Sequence, residues 1–299
     1  MQDFVTFTLN ALTYIGILSI IALGLAVVFG LMDIVNMAHG EFMTIGAYTL
    51  SFVQALLGFG NGPLAWWICL FLAPLVGAGF GLILEYVVIR RLYTRLLDTI
   101  LATFAVSLII QKSIDLIFGV QPQIITAPLQ GTVPVLGVEY PAYRLLVLGI
   151  SALVIVICLV GLARTRFGTD LRAVIQNPTM AEALGVNAKR VNQMAFAGGS
   201  ALAALAGVLV APLASVEAHL GIFYLGKAFL AVILGGIGSI LGAIAGSAAI
   251  GGAETLLNYQ VDPSFASAIV LAGAIVLIRL RPRGLVPGFS AARQLLGKG

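Results

Sequence analysis

Charge is what this sequence has least of. Asp, Glu, Lys and Arg together make up 9% of its 299 residues, against about 25% in an average soluble domain. Hydrophobic residues reach 60% and the mean hydropathy is +1.09. A water-soluble globule could not hide so much apolar surface, because a single core stops growing at roughly 250–300 residues. A soluble enzyme is therefore excluded first. Cysteine and histidine are almost missing, with two of each. Cys69 and Cys158 lie in apolar runs and read as small hydrophobes rather than as a disulfide or metal pair. No His, Cys, Asp and Glu cluster has metal-ligand spacing, so neither a metal nor another cofactor is expected. No basic surface interleaved with aromatics is present, which excludes nucleic acid as a partner. There is no G-x-x-x-x-G-K-[ST] loop, so the chain does not hydrolyse nucleotide by the common route. The start, MQDFVTF, lacks a basic n-region and does not read as a cleaved signal peptide.

What the chain does have is one apolar run after another. A membrane helix needs about 20 mostly apolar residues. Such runs fall near 12–32, 38–58, 64–89, 97–118, 143–163, 191–214, 226–257 and 263–281. The expected fold is all-α, a polytopic transmembrane bundle of about eight hydrophobic segments, treated as one domain over 1–299. The abundant glycine (35 residues) suits close helix approach and helix breaks in a membrane. Residues 119–142 are rich in Pro, Gln and Thr and read as an ordered loop outside the hydrocarbon.

Lys and Arg set the orientation. Thirteen of the sixteen fall in three groups: Arg90, Arg91 and Arg95; Arg164, Arg166, Arg172, Lys189 and Arg190; Arg279, Arg281, Arg283, Arg293 and Lys298. The positive-inside rule makes all three cytoplasmic, which leaves the N-terminus outside and the C-terminus inside. An even number of crossings must then separate the second group from the third, yet three apolar runs lie between them. The run 226–257 is interrupted at Gly235, Gly236, Gly238 and Ser239. If it turns back on itself there, parity is restored, with Gly238 forming the break and Ser239 capping the next helix. Discontinuous helices point to transport pathways. A long tilted helix with a small-residue packing face is the plainer reading.

A second irregular stretch places Asp33, Asn36, His39, Gly40 and Glu41 between two apolar runs with almost no loop. Ionisable groups at membrane depth are functional hypotheses by default. The same residues in a tight interfacial turn would cost little, with Asn36 as a cap and Glu41 favoured by the helix dipole. Both readings stand at this point.

Residues 164–190 form the longest polar stretch on the cytoplasmic side, expected as two short helices, LRAVIQ and TMAEALG. Pro178 suits the start of the second and Gly185 its end. About eight residues would reverse the chain, so the extra length points to a contact. Arg172, Asn177, Met180, Ala181, Glu182, Leu184 and Gly185 are the candidates for docking on a soluble partner.

Three motifs carry a family resemblance: GLMDIVNMAHGEFMTIGAY (30–48), RTRFGTDLRAVIQNPTMAEALGV (164–186) and LGGIGSILGAIAG (234–246). In order and spacing the chain resembles the membrane permeases of ATP-binding-cassette importers of the branched-chain amino acid and amide type. LDTILATFAVSLIIQ (97–111) and RAVIQNPTMAEALGV look closest to the urea-transport permeases. The resemblance implies a transport subunit rather than an enzyme, in a bacterial inner membrane and in contact with its lipid. Implied partners are a second homologous permease, two cytoplasmic ATPases, an extracytoplasmic solute-binding protein and a small-molecule substrate. It makes 172–186 the coupling segment, and puts the breaks at 33–41 and 235–239 near the translocation path. Urea is the first expected solute and a branched-chain amino acid the second. Competing readings are an autonomous carrier or channel, which has no need of the 164–190 segment, and an intramembrane enzyme, which lacks a catalytic set.

Overall fold

In the computed structural model, residues 2–32, 35–57, 63–92, 95–280 and 284–286 are described. Long apolar runs satisfy their backbone groups internally as helices, the form that hydrocarbon demands. The order is α1 (Gln2–Met32), α2 (His39–Leu57), α3 (Pro63–Val87), α4 (Leu96–Phe118), a hairpin of β1 (Thr132–Val135) and β2 (Val138–Pro141), and α5 (Ala142–Arg164). Then come α6 (Arg166–Gln176), α7 (Pro178–Ala183), α8 (Ala188–Val210), α9 (Leu220–Gly235), α10 (Ile240–Leu257) and α11 (Pro263–Leu280). Seven of these are long and apolar enough to cross a membrane: α1, α3, α4, α5, α8, α10 and α11. The chain is an all-α polytopic bundle.

Helix ends differ from the expected runs where packing, not hydropathy, sets them. The first helix begins at Gln2 rather than near residue 12, because a helix need not stop where its sequence becomes more polar. The expected run 191–214 is α8, which ends at Val210 just before Pro212. The loop at 119–142 is ordered in part by β1 and β2, paired antiparallel with Val135 opposite Val138.

Chain contacts group into two compact units. One comprises 1–26, 129–158 and 226–299, the other 27–128 and 159–225. In the second unit α2, α3 and α8 pack together over Val28, Ala38, Phe42, Leu84, Ile89, Phe196 and Ala203. Backbone approach is close enough that a Cβ on Gly46 would overlap the Ala204 carbonyl, and one on Gly207 the Met43 carbonyl. Helix α4 is amphipathic in the sense a membrane requires. Leu97, Leu101, Ile109, Leu116 and Ile117 are exposed, whereas Thr99, Thr103, Ser107 and Gln111, spaced by four, are buried.

In the first unit the run 226–257 is broken as its glycines suggest. Helix α9 stops at Gly235, Gly236 and Gly238 have positive φ (113° and 78°), and Ser239 caps α10 by accepting from the Gly242 N–H. Gly235 packs on Gly242 and Gly246 on Ala231, so α9 and α10 are antiparallel neighbours for a full turn or more on each side. The turn reaches residues 284–286, just beyond the end of α11. Leu285 N–H donates to Leu234 O at 2.8 Å and Val286 N–H to Gly235 O at 2.9 Å, satisfying carbonyls at the end of α9. The hairpin is therefore as deep as α11 rather than a shallow dip. Counted as two passes, it satisfies the parity that the basic groups require.

Candidate functional site

The stretch after α1 is a polar knot in the second unit. Met37 N–H donates to Thr103 Oγ1 at 3.1 Å. Thr103 lies roughly 10 Å along α4 from its first residue, at 1.5 Å per residue. The helix break thus packs beside the interior of a membrane-length helix rather than beyond its end, which decides between the two readings left open by the sequence. Asn36 is buried and acts one step earlier than a cap. Its Oδ1 accepts from the Ala38 N–H at 3.0 Å in an Asx turn, and its carbonyl accepts from the His39 N–H. His39 is buried, its ring edge-on to Phe42. Gly40 is required by contact: a Cβ there would overlap the Gly221 carbonyl.

Glu41, in the first turn of α2, is 1% exposed. Its Oε1 accepts from Ser107 Oγ at 2.7 Å and from Gln111 Nε2 at 2.6 Å. Thr44, one turn on, accepts from Gly221 N–H at 3.0 Å. Asn36, His39, Gly40 and Glu41 therefore share one site. Asp33 lies outside the described residues. Sequence reading missed Thr103, Ser107, Gln111 and Thr44. The signal available was the i, i+4, i+8 spacing of small polar residues along α4, which an averaged hydropathy conceals. Gly235, Gly236, Gly238 and Ser239 belong to the other unit and build the α9–α10 turn described above.

The segment 164–190 is a mounted helix pair. Thr165 caps α6, Asn177 caps α7 by accepting from the Met180 N–H at 3.0 Å, and Pro178 starts α7. Gly185 ends it with φ 88°, Val186 N–H bonding to Ala181 O and Gly185 N–H to Glu182 O. This is the glycine-terminated double bond pattern of a helix C-terminus. Leu171, Val174, Ala181, Ala188 and Val191 bury one face. Two docking candidates need correction. Ala181 is 2% exposed and faces that inner cluster because it falls on the buried side of α7. Arg172 is turned inward to donate to Leu162 O and Thr169 Oγ1, tying α6 to the end of α5. The face left open carries Met180, Glu182 and Leu184, with Met180 and Leu184 exposed at 58% and 78%.

Buried polar groups beside broken membrane helices, with an apolar-tipped helix standing off the bundle, define a multi-pass transport subunit, not an enzyme. The sequence model of the branched-chain amino acid transport system / permease component matches residues 7–280. The chain belongs to that family. It is 30% identical over 290 residues, 93% of this chain and 94% of the other, to the high-affinity branched-chain amino acid transport system permease protein BraD of Pseudomonas aeruginosa. It is 27% identical to LivH of Escherichia coli K12, a permease protein of the same description, with 93% of each chain covered. The probable branched-chain amino acid transport permease LivH of Methanocaldococcus jannaschii is 26% identical over 89% of this chain and 85% of that one. These names put branched-chain amino acids ahead of urea, reversing the order expected from the two shorter motifs.

Proposed function

We propose that this chain is one permease domain of an ATP-driven importer in a bacterial inner membrane, working with a second homologous permease, two cytoplasmic ATPases and an extracytoplasmic solute-binding protein. The observation that carries the reading is α7. A six-residue helix is too short to persist alone. Here it is capped at both ends, buried on one side and left with Met180, Glu182 and Leu184 facing out, a rigid knob suited to a groove on a partner. The cargo is a small amino acid or amide, with a branched-chain amino acid first, on the names of the relatives, and urea second. Asn36, His39, Gly40 and Glu41 are assigned to the path in one unit, and the turn at Gly235–Ser239 in the other.

Co-purification tests the assembly: the ATPases and a second permease should accompany the tagged chain at fixed stoichiometry. Glu182→Lys should weaken ATPase capture and uptake together while membrane insertion is retained, since a reversed charge at a packed contact costs a few kcal/mol. Gly185→Val should do likewise, because φ 88° is unfavourable to a β-branched residue. Normal ATPase binding and uptake by both variants would remove α7 from the coupling role. The basic groups support the N-terminus outside and the C-terminus inside. Impermeant thiol labelling of a cysteine at position 130, with Cys69 and Cys158 replaced, should proceed only from the outside.

A further inference from the structure

Glu41 is a carboxylate in the interior with half of its hydrogen-bonding capacity in use. Ser107 and Gln111 both donate to Oε1, while Oε2 is equally buried and has no hydrogen-bond partner among the described residues. The other polar groups that face it are the Thr44 hydroxyl, already an acceptor for Gly221 N–H, and His219 within electrostatic reach. No Lys or Arg is ion-paired with it among the described residues. Buried carboxylates are otherwise paired or fully hydrogen-bonded. One oxygen held rigidly by α4 and the other open is the arrangement of an acceptor whose donor comes from outside the chain.

Resting on the reading of this cluster as part of the path, we infer that Glu41 is the specificity-determining residue for the N–H end of the cargo, and that the cargo it fits is an α-amino acid bound through its ammonium group. Urea also offers N–H donors, but neutral ones. A charge-assisted bond is roughly twice as strong as a neutral one. An ammonium also cancels a carboxylate charge that is expensive at membrane depth. Ser107 and Gln111 are positioning residues: they fix Oε1 so that Oε2 keeps one direction.

The test uses the complete importer in liposomes, with its binding protein, offered labelled leucine and labelled urea separately. Glu41→Gln should lower leucine uptake by about tenfold or more, the value of a lost bond to a charged group, while ATP hydrolysis in the absence of cargo is unchanged. In parallel, a hydrophobic carbodiimide is applied to the wild-type importer and modification of Glu41 is followed by mass spectrometry. Leucine should slow the modification severalfold. 4-Methylpentanoate, the same skeleton without the amino group, should not. Unchanged leucine uptake by Glu41→Gln overturns the inference, as does equal labelling with and without leucine in an importer that takes up leucine. Failure of Glu41 to label at all counts against it too, since a site open to cargo is open to a small reagent. If Glu41→Gln does not assemble, the labelling decides alone. An importer that assembles but takes up no leucine rejects the proposed cargo instead, and slowing of the label by urea in that case rejects the ammonium preference.

Discussion

Replacing Lys227 with Met is expected to cost the protein about 3–5 kcal/mol of stability, the range for stranding one member of a buried ion pair. Lys227 Nζ lies 2.5 Å from Glu254 Oε1, and their side chains are 18% and 6% exposed. Ser267 Oγ donates to the same oxygen at 2.8 Å, and Tyr14 OH donates to Oε2 at 2.9 Å. The network joins α1, α9, α10 and α11 within one unit. Glu254 stands one turn before the end of α10. A lysine left there without its partner can extend its long stem toward water, whereas the shorter and more deeply buried glutamate cannot. Glu254→Gln should therefore cost less than Lys227→Met, on the order of 1–3 kcal/mol. The pair Lys227→Met with Glu254→Leu should recover most of the loss, because a well-packed apolar pair often equals a buried ion pair. Thermal unfolding of the purified chain in detergent, compared across the three variants, gives the ranking. Equal stability of Lys227→Met and the parent would mean that the pair contributes nothing.

Much of this architecture is legible in the sequence, for reasons visible in particular residues. The α9–α10 turn could be anticipated because two independent constraints, the glycines at 235–238 and the parity of the basic groups, fall on the same four residues. The ends of α7 were readable because Pro178 and Gly185 each have one strong backbone preference. The tertiary partnerships were not readable. Lys227 and Glu254 are 27 positions apart, and nothing local says that they meet. Glu41 finds Ser107 and Gln111 across 66 and 70 residues. The polar face of α4 was hidden for another reason. Thr99, Thr103, Ser107 and Gln111 are each separated by three mostly apolar residues, so their average looks like an ordinary span. Ala181 shows the opposite error. A small residue in a polar segment reads as surface, and only its position on a six-residue helix turns it inward.

A single methyl group at Gly46 or Gly207 is expected to be enough to force α2 and α8 apart. The atoms that a Cβ would strike are main-chain ones, the Ala204 carbonyl for Gly46 and the Met43 carbonyl for Gly207. Backbone cannot rotate away as a side-chain tip can, so the helices themselves must shift. Gly46→Ala and Gly207→Ala should each cost about 1–3 kcal/mol, the usual penalty for overpacking. Because they act at the same crossing, the double variant should cost less than the two losses added together. Gly79→Ala and Gly252→Ala are the controls: both are helical, and a Cβ at either meets nothing within 4 Å. Those two should be neutral or stabilising by up to about 1 kcal/mol, since alanine is the better helix former. Equal melting temperatures for Gly46→Ala and Gly79→Ala would show that the crossing is not tight. The same displacement has a functional consequence. Glu41 lies five positions before Gly46 on α2, and its bonds to Ser107 and Gln111 span only 2.7 Å and 2.6 Å. Moving α2 by a fraction of a methyl diameter would lengthen both beyond useful geometry. Uptake by Gly46→Ala should therefore fall further than its loss of stability accounts for, measured as transport per correctly assembled importer.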